Sequence, residues 1–153
     1  MSKKQTIELT KKQFLALMKA VYIGNWIANA QTIPSDKKKN EYDKIEDLIF
    51  SFAGKFGYKR FVDHEEKDGD SFYPTRWFEE ETDVHKKIQE YEDDSFWDEL
   101  IDRMARLTMS QRYSKKELEE FTQDEFLEEF FQIQHAIAKE FEKFGISRLK
   151  IVK

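Results

Sequence analysis

Three features of the sequence predict a mainly α-helical fold. The 153 residues contain five Gly and two Pro, too few for the frequent turns of an all-β protein. Apolar residues recur at helical spacing in several segments, the longest stripe being Phe126, Phe130, Ile133, Ile137, Phe141 and Phe144. Cap signatures (Ser or Thr followed three residues later by Gln, Glu or Asp) stand before such stripes at Thr10, Ser95, Ser114 and Thr122. Together they predict about five helices in a single bundle-like domain covering residues 1–153. A small β-hairpin or ordered loop is inserted near residues 58–74.

Residues 5–9 alternate, with Ile7 and Leu9 on one side, as in a short extended arm. Thr10 and Gln13 then form a capping box, with Leu9 placed to staple onto Phe14. The first helix carries Phe14, Leu17/Met18, Val21/Tyr22 and Ala28 at helical spacing. Ile33-Pro34 should end it, because the residue before Pro is pushed out of the α region. Inside it, residues 20–35 carry no charge, in a chain that is 37% charged. Their apolar side chains go almost all the way round, as in a helix enclosed by others, so this helix is the expected central pillar. Gly24 and Ala28, four apart, would let a neighbouring backbone approach closely.

Ser35 or Asp36 is the expected cap of the second helix. Asn40 is the alternative start, because Lys37, Lys38 and Lys39 would oppose the positive end of the helix dipole. The core stripe there is Tyr42, Ile45, Leu48/Ile49, Phe52/Ala53 and Phe56, closed by Gly57 at a left-handed C′ position. Residues 58–74 have no helical stripe, and Asp68-Gly69 is a turn pair between Phe61-Val62 and Phe72-Tyr73. Thr75 caps a third helix with Trp77, Val84, Ile88 and Tyr91 on one face, which Glu92-Asp93-Asp94 should break. Ser95 with Asp98 starts a fourth, striped by Phe96/Trp97, Leu100/Ile101, Met104 and Leu107. Residues 115–144 form one helix or two with a kink near Thr122, ending in a Schellman stop at Gly145-Ile146. The tail, residues 148–152, alternates again and could pair with residues 5–9.

Charge and composition bound the function. Fourteen Phe, six Tyr and three Trp give enough aromatic surface for a packed core despite the high charge. Without Cys there are no disulfides, thiolate metal sites or Cys nucleophiles, which fits a reducing cytoplasm. No signal peptide is expected, since no apolar core with a small-residue cleavage site closely follows the basic N-terminal stretch. No membrane span is expected, since Lys19, Asn25, Asn29 and Gln31 interrupt the longest apolar region. The net charge of −5 is uneven: residues 1–60 hold 12 Lys/Arg against 6 Asp/Glu, and residues 61–153 hold 14 against 25.

Standard chemistries are hard to write on this chain. His64, His85 and His135 lack the Glu-x-x-His and His-Glu-x-x-His spacings of helical metal sites. Aligning Gly69 with the glycine of an EF-hand loop puts His64 and Thr75 where carboxylates are required. Glycines at 24, 54, 57, 69 and 145 spell no phosphate-binding loop. Two constellations remain as candidate binding residues. Tyr22, Asn25 and Asn29, with Trp26, lie on adjacent turns of the first helix, where buried amides would need partners from neighbouring helices. Tyr73, Arg76 and Trp77, with Phe72, join an aromatic–Arg group of the kind enriched at interface hot spots, or else plug the insert onto the core.

The expected function is binding of another protein, with residues 79–99 and 117–129 as acidic faces suited to an inhibitor or regulator of a basic partner. No metal or cofactor is called for, and catalysis is not favoured. The alternatives are an enzyme with a polar site on the first helix, and nucleic-acid binding through Lys37–Lys39, Lys55, Lys59 and Arg60. The overall acidity argues against the latter.

Overall fold

The computed structural model describes residues 5–31, 39–66 and 71–150. The fold is mainly helical with one small antiparallel hairpin, as the sequence predicts. Among the described residues there are six α-helices: α1 Lys11–Asn29, α2 Glu41–Ser51, α3 Arg76–Glu81, α4 Val84–Arg112, α5 Lys115–Glu120 and α6 Gln123–Phe144. Two 3-10 turns, Ala53–Phe56 and Lys59–Phe61, lead into strands β1 Val62–Glu65 and β2 Ser71–Pro74. The strands pair with Val62 opposite Pro74 and Glu65 opposite Ser71. No helix among the described residues is long and apolar enough to cross a membrane.

The chain gathers into two compact units, residues 1–89 and 90–153. In the first, Phe14, Met18 and Tyr22 of α1 meet Phe50 of α2, Phe78 of α3 and Val84 and Ile88 of α4. Aromatic edges organise this core: Phe78 receives Tyr22 at 5.4 Å, Phe50 at 5.2 Å and Phe61 at 5.8 Å. In the second, Ala105 and Met109 of α4 pack with Phe130 and Ile133 of α6. The predicted α6 stripe lies inward, with Phe130, Ile133 and Phe141 buried.

Cap geometry explains several boundaries. Thr10, Ser114 and Thr122 each close the predicted box with Gln13, Glu117 and Glu125. Thr122 therefore divides 115–144 into two helices. Asn40, and not Ser35 or Asp36, caps α2: its side chain accepts from the backbone N–H groups of Tyr42 and Asp43, while Asp43 closes the box. Ser35, Asp36, Lys37, Lys38, the Ile33-Pro34 stop and the Asp68-Gly69 turn lie outside the described residues.

Other expectations are corrected. Glu92-Asp93-Asp94 does not break a helix, and Ser95 caps none; α4 runs through both for 29 residues. The (i, i+4) pairs Glu99–Arg103 and Asp102–Arg106 support it further along. The break falls instead at Thr82, whose extended backbone ends α3 and whose hydroxyl donates to the Phe78 carbonyl at 2.7 Å. Trp77 and Tyr91 are consequently exposed while Val84 and Ile88 are buried. On α2 the buried face is Phe50, with Ala53 just beyond the helix; Tyr42, Ile45, Leu48 and Phe52 face solvent. The rotation turns the α2 carboxylates toward α1, as described below. On α4, Ala105 and Met109 are buried while Phe96 and Leu107 are exposed.

Nor is α1 an enclosed pillar. Its buried side chains stop at Tyr22, Ile27 is 48% exposed, and a side chain added at Gly24 would meet only open space. Gly57, at φ +79°, does adopt the left-handed turn, though it closes the 3-10 turn after α2 and not α2 itself. Gly145 stops α6 with φ +54° and ψ −140°, outside the left-handed helical well that a Schellman stop uses. Residues 5–9 and 148–150 form no strand; 151–152 lie outside the described residues.

Candidate functional site

Four of the six predicted binding residues gather along one edge of α2. Asn25 donates to Glu46 Oε2 at 2.8 Å. Asn29 donates to Asn25 Oδ1 at 2.6 Å and Asp43 Oδ1 at 3.2 Å, and accepts from Asn40 at 2.8 Å. The two amides thus tie the end of α1 to the start of α2, answering the demand for partners raised by a charge-free helix. Tyr22, Asn25, Trp26, Asn29 and Glu46 line an open cleft of about 370 Å³. Tyr73 lines an adjoining one of about 280 Å³ with Lys39, Asp43, Asp47 and Ser71, and Glu46 borders both.

Their electrostatics make these groups holders of protons. Burial pushes the Tyr22 hydroxyl above its ordinary range, reinforced by its 2.8 Å hydrogen bond to Glu79. Tyr73 is also raised, by burial and then by Asp63 and Glu65 of the facing strand. Neither is a base at neutral pH. Asp47 receives the Phe72 backbone N–H at 3.2 Å and the Lys39 ammonium, which bonds Ser71 Oγ at 2.5 Å. This edge joins α1, α2 and β2 more than it offers free groups.

Arg76 and Trp77 stand apart from these clefts. Arg76 pairs with Glu80 at 2.6 Å, and Trp77 is 58% exposed beneath Arg60. Phe72 does pack on the core, so the insert is plugged by Phe72 and not by Trp77. The three histidines are exposed on β1, α4 and α6, and no metal-binding group of three His, Asp or Glu occurs among the described residues.

The second unit carries a different surface. The loop at Phe121 brings α5 and the first half of α6 around a cleft of about 490 Å³. Glu117, Glu120, Glu125, Glu128 and Glu129 line it, with the rings of Tyr113 and Phe121. Those rings meet edge to face at 5.1 Å. Glu117 and Glu125 are committed to capping boxes and Glu129 to Arg112 at 3.1 Å. Glu120 and Glu128 have no hydrogen bond or ion pair among the described residues, and both are exposed. No family model, curated protein or solved structure matches this chain.

Sequence reasoning found the acidic segment 117–129 but not that it folds around two rings. It also passed over Asp43 and Glu46, because two carboxylates among 31 Asp/Glu carry no signal of their own. The Asn40-x-x-Asp43 spacing was a usable clue, since it is a capping box and marks where α2 begins.

Proposed function

We propose that the protein binds a basic protein partner through the acidic–aromatic cleft of its second unit, and acts as an inhibitor or regulator. The observation that carries this is the lining: five glutamates, two aromatic rings and Gln132, with no cation among them. Glu120 and Glu128 supply uncommitted negative charge, and Tyr113 and Phe121 supply flat apolar faces on which a Lys or Arg side chain can lie. Residues 90–153 hold 16 Asp/Glu against 10 Lys/Arg, so the field around the cleft attracts cations and repels nucleic acid.

The test is affinity capture from the native host with the wild-type chain and with Glu120→Gln/Glu128→Gln as baits. Proteins of high Lys/Arg content should be retained by the wild type and depleted at least roughly tenfold on the variant. Their affinity should fall steeply as salt rises. Capture indifferent to both substitutions, or of acidic proteins only, would remove this function.

A further inference from the structure

We propose that the first unit carries a second interaction surface, of opposite sign, that binds single-stranded nucleic acid. It consists of Lys11, Lys55, Lys59 and Arg60 with the rings of Phe52, Tyr58 and Trp77. The left-handed turn at Gly57 builds it, setting Lys55 and Lys59 two residues away on either side. Lys11 arrives from the start of α1: its ammonium would lie 3.1 Å from a Cβ at Gly57 and sits over the Tyr58 ring, 4.9 Å from the centroid. The Tyr58 hydroxyl donates back to the Lys11 carbonyl at 3.3 Å. Tyr58 stacks on Phe61 at 5.6 Å, and Arg60 lies over both Phe61 and Trp77, at 5.4 and 5.7 Å. On the other side Lys55 lies 4.6 Å over Phe52. These contacts form two groups, Lys11–Tyr58–Phe61–Arg60–Trp77 and Lys55–Phe52, which the chain joins through the turn at Gly57.

Its charges are uneven in availability. Arg60 also pairs with Glu81, whereas Lys11, Lys55 and Lys59 meet no carboxylate among the described residues. Ammonium groups resting on rings are held in position, and an array of fixed cations fits the repeated phosphates of a nucleic-acid strand. The rings decide between polyanions. Trp77 is 58% and Phe52 37% exposed, and exposed rings beside cations stack unpaired bases. An acidic peptide would use the lysines and leave the rings idle. A duplex hides its base faces, so the strand is single. The net charge of −5 does not forbid this, because at physiological salt fields are screened within about 8 Å and a phosphate senses the local lysines.

The experiment is fluorescence anisotropy of a labelled oligothymidylate titrated with the full chain at several salt concentrations. Binding is expected at low salt, with a dissociation constant below about 100 µM that rises with salt. Lys55→Ala/Lys59→Ala should flatten the log–log salt slope by about 1.4, at about 0.7 per phosphate contact on single strands. Trp77→Ala should weaken binding roughly tenfold with the slope preserved, because it removes stacking and no charge. Glu120→Gln/Glu128→Gln should leave this binding intact, so the surface stands or falls apart from the acidic cleft. No anisotropy change up to about 100 µM at low salt would overturn the proposal. So would equal affinity for a polyglutamate of matching charge, which would assign the lysines to an acidic protein, or a Trp77→Ala variant that binds like wild type.

Discussion

Phe50 and Tyr22 share one core but differ in what their removal costs. Phe50 is fully buried with its edge against Phe78, so Phe50→Ala leaves a cavity and should cost about 3–5 kcal/mol. Tyr22→Phe keeps the ring against Phe78 and loses the bond to Glu79, a half-buried carboxylate that water can reach. Its cost should be about 1 kcal/mol. Urea titrations of the two variants check the order, and equal losses would show that the Tyr22–Glu79 bond is far less hydrated than its exposure implies. At this scale the sequence was legible on α1 and α6, where the striped side chains Phe14, Met18, Tyr22, Phe130 and Ile133 all lie inside. It was illegible where charge decides the facing. Tyr42, Ile45 and Leu48 make as regular a stripe as any, yet face solvent because α2 turns Asp43 and Glu46 to the amides of Asn25 and Asn29.

Among the elements, a cap signature is only as good as the geometry it finds. Thr122 and Ser95 carry the same kind of spacing, but Thr122 has extended backbone and holds the Glu125 N–H, while Ser95 is in mid-helix. Thr122→Ala should therefore cost about 1 kcal/mol at neutral pH, and Ser95→Ala should cost nothing or stabilise slightly. The Thr122 effect depends on pH with a definite sign. Its backbone N–H and hydroxyl hold the Glu125 carboxyl below the usual range, and the Ser114 hydroxyl and N–H do the same for Glu117. A depressed folded-state pKa gives stability that is full above the unfolded value, about 4.3, and is lost as pH falls through the folded one. The gap between wild type and Thr122→Ala should thus narrow between neutral pH and about pH 3 in thermal melts. A gap that stays constant would mean that the hydroxyl–carboxylate bond of Thr122 and Glu125 contributes nothing to the cap. Sequence alone could list these boxes, but it could not tell that α4 would run straight through Ser95.

For the whole molecule, the two core clusters were beyond sequence reading, because every stripe is compatible with more than one partner stripe. The charge imbalance was visible, and the fold adds where it collects: lysines around Gly57 in one unit, glutamates around Phe121 in the other. Between the last core residue of the first unit, Ile88, and the half-buried Ser95, every residue of α4 from 89 to 94 is exposed. Six exposed residues in a row leave the backbone hydrogen bonds of this stretch with little side-chain packing to protect them. Native-state hydrogen exchange should find the amides of residues 91–97, whose bonds span it, among the fastest in the 29-residue helix. Protection there equal to that of Met104–Met109 would contradict the exposure. In mechanical terms this stretch is a fuse: under strain or heat, α4 can unwind here first, on a timescale of its own, while the aromatic core of each unit is still intact.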